Sequence, residues 1–139
     1  MALLTRERPI AAARVEAHPA LIDTLARAFV GDPAVSWIMP DLARQAQVLP
    51  GMFKHIVPFD HRLGMALTSP GHEVVTLWRA PGRAHGDWRE TLAAFAAMPR
   101  VFGRATLRAH TVASAVEAHL PSGFDYWYLH YAGVAPEHQ

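Results

Sequence analysis

Apolar residues recur along the chain at two different spacings, which predict helices alternating with strands. Helical spacing, with an apolar residue every three or four positions, begins near Pro19 and stops at the turn formed by residues 31–33. Its apolar members are Leu21, Ile22, Leu25 and Phe29. Residues 41–62 show the same spacing, and Pro50 and Pro58 leave open whether this segment is one bent helix or two shorter ones.

Short apolar runs bounded by turn residues predict the strands. They cover residues 10–15, 65–68, 73–79 and 125–134. A Ser-Pro-Gly sequence joins the second run to the third, which predicts an antiparallel hairpin.

Two further helices are predicted between this hairpin and the last strand. Asp87 and Glu90 have the spacing of an N-terminal capping box. Trp88, Leu92 and Phe95 then form an apolar stripe, which we expect to be buried. The second helix extends from about residue 101 to residue 120, on the N-terminal side of a Pro-Ser-Gly turn.

This order of elements predicts a single domain over residues 1–139. Its class is α/β or α+β, with a mixed, largely antiparallel sheet flanked by helices. A strand is the last ordered element, and its outer edge needs either further sequence or a partner strand to cover it. The pattern therefore predicts a domain that is incomplete at its C-terminus or that pairs with a second chain.

Composition narrows the classes of function. The chain has 139 residues, of which 51% are hydrophobic and 18% charged, and its formal net charge is +1. Its basic residues are spread out rather than gathered into a stripe, so no nucleic-acid partner is predicted. No run approaches the roughly 20 apolar residues of a membrane span. The absence of cysteine excludes a thiolate nucleophile and a sulfur-based zinc site, and we expect a cytoplasmic protein.

Nine histidines raise the question of a metal site. The densest group is His55 with the Asp60-His61 pair, and its spacing matches no known ligand motif. No metal is therefore predicted.

Three segments, in this order, are similar to the GNAT superfamily of N-acetyltransferases, in a branch common in high-GC bacteria. They are the Leu-Ala-Arg-Ala-Phe-Val-Gly-Asp-Pro run at residues 25–33 with Trp37, the Val-Thr-Leu-Trp-Arg-Ala-Pro-Gly run at residues 75–82, and the Trp-Tyr-Leu-His-Tyr-Ala-Gly-Val-Ala-Pro-Glu-His-Gln run at residues 127–139. The resemblance covers the N-terminal two-thirds of the family's domain. It implies an acyl-coenzyme A N-acyltransferase fold and transfer of an acetyl group from acetyl-CoA to an amine.

The resemblance places the cosubstrate at the last segment. Ala132, Gly133 and Val134 offer an extended backbone that can pair with the amides of pantetheine, and Gly133 would let a ligand approach closely. Gln139 matches the first position of the family's pyrophosphate-binding loop. The loop's glycines would follow Gln139, so we expect a domain truncated before that loop.

Candidate catalytic and acceptor residues also follow from the resemblance. His130 and Glu137 could accept the proton of the amine. Strict alternation would place His130 on one face of the strand with Tyr126 and Tyr128, and Tyr131 on the other. The candidate acceptor residues are Phe29, Asp32, Trp37 and Trp78. Core packing for Trp78, a turn for Asp32 and a solvated surface position for Glu137 are the alternative interpretations.

Two functions remain open. The first is direct acetyl transfer to a small-molecule or peptide amine. The resemblance implies this activity for the family's whole domain and does not imply it for residues 1–139 alone. The second is a non-catalytic interaction module whose exposed last strand pairs with a partner, including a second copy in a homodimer.

Overall fold

The computed structural model describes residues 9–139, which form one four-stranded sheet and five α-helices. The strands are β1 (Ala11–Ala12), β2 (Gly64–Thr68), β3 (Val74–Arg79) and β4 (Tyr128–Val134), and the helices are α1 (His18–Ala28), α2 (Pro33–Ile38), α3 (Leu42–Leu63), α4 (Trp88–Phe102) and α5 (Thr106–His119). The sheet order is β1-β2-β3-β4, and each neighbouring pair is antiparallel. This architecture confirms the predicted fold class.

Aspartate side chains begin three of the helices. The carboxylates of Asp32, Asp41 and Asp87 each accept hydrogen bonds from backbone N–H groups in the first turn that follows. The predicted capping box is only half formed, because the side chain of Glu90 turns to Arg79 instead of back to the cap. The second predicted helix is one continuous helix, α3, which contains both Pro50 and Pro58.

The core lies between the sheet and the pair α1 and α3. Its fully buried members include Leu21, Leu25, Leu49, Phe53, Val75 and Leu77. Phe29, Phe53 and Tyr131 add an aromatic cluster whose ring centroids are 5.2–5.6 Å apart. This cluster joins α1 and α3 to β4.

The apolar stripe of α4 is exposed, so the expectation that it is buried was wrong. Trp88, Leu92 and Phe95 are 71%, 63% and 75% exposed. Successive helical residues are about 100° apart, so Trp88 and Leu92 lie about 200° around the helix from Glu90. Because Glu90 points inward to Arg79, the stripe points outward. Helix α4 instead buries the small residue Ala97 and its C-terminal residue Phe102.

The strand bounds also differ from the prediction. The first strand is limited to two residues, Ala11–Ala12, and the last begins at Tyr128 rather than at residue 125. The hairpin of β2 and β3 is confirmed, with a five-residue connection at 69–73. By contrast, β3 and β4 are adjacent antiparallel strands joined by 48 residues, 80–127, which contain α4 and α5.

The two faces of the sheet have different environments. Val75 and Leu77 point towards α3, so Thr76 and Trp78 point to the opposite face, where Leu129 lies beside Trp78. Trp78 is half-buried there, and its indole N–H donates to Thr76 Oγ1 at 2.9 Å. Within residues 9–139, no helix combines the length and apolar character needed to cross a bilayer.

Candidate functional site

A β-bulge in β4 turns two neighbouring side chains to the same face of the sheet. Leu77 pairs with Tyr131 and Trp78 pairs with Leu129, so His130 has no partner residue on β3. His130 reaches Asp60 on α3, while Tyr131 packs on Phe53 of the same helix. The strict alternation expected from the sequence, with His130 and Tyr131 on opposite faces, is therefore wrong at this point.

His130 is the partly exposed end of a chain of hydrogen-bonded side chains that leads into the interior. Its Nδ1 lies 2.6 Å from Asp60 Oδ2, and Arg79 Nε donates to Asp60 Oδ1 at 2.8 Å. The same guanidinium binds Glu90 and the carbonyl oxygen of Ala84. Asp60 is fully buried and Arg79 is only 5% exposed. Strands β3 and β4 and helices α3 and α4 thus meet at one cluster of ionisable side chains.

The pKa shift at Arg79 follows from this packing. Burial alone would lower the pKa of its guanidinium, but the carboxylates of Asp60 and Glu90 more than offset that effect. The pKa of Arg79 therefore lies above its ordinary value, and the residue is a fixed positive charge.

Two tyrosines lie beside His130. The ring centroids of His130 and Tyr131 are 4.3 Å apart, and those of His130 and Tyr128 are 5.4 Å apart. Burial raises the pKa of both phenols, and the negative charge of Asp60 adds to the shift at Tyr131. Both phenols remain protonated at neutral pH.

Asp60 is the residue of this cluster whose role the sequence interpretation missed. It was considered only as a member of the histidine-rich group, as a possible metal ligand. The signal was present, because Asp60 continues the inward-facing series Leu49, Phe53 and Val57 of α3 at helical spacing. An acidic residue in an apolar stripe needs a buried partner, and this requirement points to a cationic or histidine side chain.

The outer edge of β4 carries the predicted cosubstrate positions. Ala135 N–H donates to Glu73 C=O at 2.7 Å, which fixes the alternation of the β3–β4 ladder. In that alternation the backbone groups of Tyr131 and Gly133 point towards β3, and those of Ala132 and Val134 point outward. Gln139 Nε2 donates to the Val134 carbonyl at 2.9 Å, as this orientation requires.

Gly133 serves the packing of α1. A Cβ atom at this position would lie 3.0 Å from Leu25 Cδ2 and 3.1 Å from Ala28 Cβ. Both distances are closer than ordinary contact, so the absence of a side chain lets α1 lie against β4. The structure therefore supplies a packing reason for this glycine, where the sequence suggested the approach of a ligand.

Glu137 is held in an ion pair at the surface. It lies in the turn after β4, and Arg27 Nη1 donates to Glu137 Oε2 at 2.8 Å. Its own backbone N–H and Arg27 lower the pKa of its carboxyl group. A carboxylate stabilised in this way is a weaker proton acceptor than one of ordinary pKa.

The four predicted acceptor residues occupy separate places. Phe29 packs in the aromatic cluster, and Asp32 accepts hydrogen bonds from two N–H groups of α2. Trp37 is exposed, with the guanidinium of Arg108 5.8 Å from its ring centroid. Trp78 lies on the opposite face of the sheet. Two of the four contact β4, the strand that carries His130: Phe29 packs on Tyr131 on the α3 side of the sheet, and Trp78 pairs with Leu129 on the opposite face.

The histidine-rich group is dispersed in the structure. His61 Nδ1 lies 2.8 Å from His18 Nε2, whereas Asp60 faces Arg79 and His130. Across residues 9–139, no three histidine or acidic side chains are grouped so that they could hold a metal ion.

A separate concavity contains none of these residues. An open cavity of about 530 Å³ lies at the β1 edge of the sheet, lined in part by Ala12, Glu16 and Thr68. It contains none of the predicted site residues, and its walls carry no group able to act as base beside an acyl thioester except Glu16 and His72. Because no predicted site residue lines that cavity, the side chains that link His130 to Arg79, together with the outer edge of β4, are the stronger candidate for a functional site.

Comparison with known proteins identifies the fold. No family model and no curated protein matches the sequence. Among solved structures, the chain is similar to one described as histone acetyltransferase HPA2 and related acetyltransferase from Corynebacterium glutamicum, with a TM-score of 0.60 and 22% identity. The match covers 92% of this chain and 60% of that one. Over the matched part, the chain shares the fold of that solved acetyltransferase.

Proposed function

We propose that this chain is the acceptor-side part of an acetyl-CoA-dependent N-acetyltransferase of the GNAT type. The observation that carries the proposal is the outer edge of β4 beside the bulge at His130, which pairs with no further strand within residues 9–139, in a chain with an acetyltransferase fold. The similar solved structure is described as a histone acetyltransferase, and this description supports an amine as the acceptor. The acceptor class proposed here is accordingly a small-molecule or peptide amine.

The residues of β4 fit the chemistry of the cosubstrate. Pantetheine contains two amides, which can pair with outward backbone groups as a neighbouring strand would. Ala132 and Val134 supply such groups, whereas Gly133 does not. The Gln139 side chain occupies the Val134 carbonyl, so binding of a pantetheine N–H there would replace the Gln139 bond.

The acetyl group would move by direct attack. A thioester carbonyl accepts an amine nitrogen without a covalent enzyme intermediate, provided that a nearby group takes the proton. In this proposal His130 takes it, since its side chain is on the strand whose edge would bind the cosubstrate.

Calorimetric titration with coenzyme A tests the proposal, and the Ala132→Pro variant sharpens the test. The N–H of Ala132 points away from β3, so replacing it with proline removes no hydrogen bond of the β3–β4 ladder. Proline is tolerated at such edge positions. We expect coenzyme A binding by the wild type and about tenfold weaker binding by Ala132→Pro, equivalent to about 1.4 kcal/mol.

The matched control is Ala132→Ser, which keeps the N–H and should bind like the wild type. Thermal unfolding of all three proteins checks that the ladder is intact. No binding of coenzyme A by the wild type, or equal binding by the proline variant, would contradict the proposed role of β4.

The alternative is a non-catalytic interaction module. The outward backbone groups of Ala132 and Val134 that could bind pantetheine could also pair with a strand of a second copy. Sedimentation equilibrium distinguishes the two. Mass that rises with concentration and falls in Ala132→Pro, without coenzyme A binding, would favour the interaction module.

A further inference from the structure

We propose that Asp60, anchored by Arg79, positions His130 with a free Nε2 lone pair that accepts the proton of the attacking amine. His130 is then the catalytic base, and Asp60 and Arg79 are positioning residues. This inference rests on the proposed acetyltransferase function, and it assigns the proton transfer to a chain of side chains from α3, β3 and β4.

Hydrogen-bond chemistry fixes the direction of each contact. Arg79 has no acceptor, so its Nε–H donates to Asp60 Oδ1 across 2.8 Å. A carboxylate oxygen only accepts, so His130 donates from Nδ1 to Asp60 Oδ2 across 2.6 Å. In the neutral imidazole the proton is then on Nδ1, and the lone pair is on Nε2.

The Nε2 atom is not fully enclosed by the protein. It has no hydrogen-bond partner within residues 9–139, where every fully buried side-chain nitrogen and oxygen has one. The side chain of His130 is 19% exposed, while its partner Asp60 is fully enclosed. One ring nitrogen is thus bonded to a buried carboxylate and the other has no hydrogen-bond partner among the described residues, which is the arrangement a base needs.

The transfer step balances with these groups. The amine nitrogen forms a bond to the thioester carbonyl carbon, and the carbon–sulfur bond breaks with its electron pair going to sulfur. The proton lost by the nitrogen moves to His130 Nε2, and the resulting imidazolium returns it to the thiolate. The products are the acetylated amine and the coenzyme A thiol.

Arg79 makes one substitution especially informative. In Asp60→Asn, the guanidinium can pair only with the amide oxygen, so the amide nitrogen must face His130 Nδ1. That nitrogen donates, which forces Nδ1 to accept and moves the ring proton to Nε2. The variant keeps the size of the side chain and reverses the tautomer, as happens in the serine-protease triad when its aspartate is replaced by asparagine.

Nitrogen-15 NMR of histidine-labelled wild-type protein tests the tautomer without any activity. Comparison with His130→Gln assigns the signals, at about pH 8.5, two units above the ordinary histidine pKa. We expect a protonated Nδ1 and an unprotonated Nε2. A protonated Nε2, alone or with Nδ1, would overturn the inference even if Asp60→Asn failed to fold.

Steady-state kinetics test the consequence. We expect Asp60→Asn to lower kcat at least about 100-fold, the lower bound for loss of general-base catalysis, with the KM for acetyl-CoA nearly unchanged. The matched control is Glu117→Gln, because Glu117 also binds a histidine Nδ1, that of His85, but at the surface. It should retain wild-type kcat. A folded Asp60→Asn variant with wild-type kcat would overturn the inference.

The two proposals can fail separately. An Nδ1–H tautomer without coenzyme A binding would remove the acetyltransferase proposal, and with it the role of base. Coenzyme A binding and acetyl transfer with an Nε2–H tautomer would overturn the assignment of His130 as a base positioned by Asp60, and the acetyltransferase proposal would stand.

Discussion

Gly133 determines how closely α1 approaches the sheet. We expect Gly133→Ala to lower the free energy of unfolding by about 1–2 kcal/mol, because the new methyl group would press on Leu25 and on Ala28, whose Cβ cannot rotate away. The control is Gly51→Ala within α3, where the nearest atom to the added Cβ is 3.8 Å away. That change should raise the free energy of unfolding by about 0.5–1 kcal/mol.

Urea denaturation measures both variants. A role of Gly133 in ligand approach alone would give the opposite outcome, namely weaker coenzyme A binding with unchanged stability.

The His18–His61 contact predicts a dependence of stability on pH. Desolvation lowers the pKa of His18, the nearby His61 lowers it further, and Glu16 partly opposes both effects. Below the unfolded-state value of about 6.5, the unfolded chain therefore binds a proton that folded His18 does not, and stability falls as pH falls through this range. His18→Gln should lose less stability than the wild type between pH 7.5 and pH 5.5.

The measurement is the denaturant midpoint of each protein at the two pH values. The difference between the two losses reports on His18, because the other titrating groups are present in both proteins. Parallel losses in the two proteins would show that His18 does not titrate differently on folding.

Individual site residues could be predicted only where their role depends on local sequence. The sequence left open a turn at Asp32, and the structure makes this residue the N-cap of α2, with partners only two and three residues away. The contact of His130 with Asp60 joins residues 70 positions apart, and no local pattern reports such a contact. The histidine could therefore be selected from the sequence, but not its partner.

Among the elements, β4 shows how one extra residue changes a face. The bulge brings His130 and Tyr131 to the same side, whereas a regular strand would bury one and present the other to the opposite face. Nothing in the apolar and polar order of Tyr128–Val134 marks the irregularity. Its consequence is that the candidate base and its tyrosine neighbour share one environment.

Helix α4 gives an element-scale prediction. We expect Phe95→Ser to change the free energy of unfolding by no more than about 0.5 kcal/mol, since Phe95 is exposed. The comparison variant is Phe53→Ala, which removes a fully buried ring of the aromatic cluster and should cost about 3–5 kcal/mol. Chemical denaturation distinguishes them. A large loss in Phe95→Ser would mean that the stripe is buried in solution, by a partner or a second copy.

The orientation of α4 could not be predicted, because its stripe has ideal helical spacing. The ion pair of Glu90 with Arg79 rotates the helix so that small residues face inward. A periodic pattern therefore identified the helix and misidentified its buried side. Glu90, in the first turn of α4, was the sequence signal that favoured the opposite orientation of the helix.

For the molecule as a whole, the order of helices and strands was largely predictable, because apolar spacing and turn residues are local signals. The antiparallel hairpin, the Asp87 cap of α4 and the class of the fold follow from them. The sheet order around β4 does not, since β3 and β4 meet across two helices. The likeness to a solved acetyltransferase confirms the architecture. A coenzyme A binding experiment tests whether the chain also binds the proposed cosubstrate.

The long connection between β3 and β4 also bears on how the chain acquires its fold. Closing 48 flexible residues costs about 2 kcal/mol more than closing the five residues between β2 and β3, when loop entropy grows with the logarithm of length. The hairpin can therefore form early, while β4 must wait until α4 and α5 shorten the gap or the core of α1 and α3 receives it. The strand that carries His130 and the proposed cosubstrate edge is then the last to join the sheet, so the proposed site and the completed fold arise in the same step.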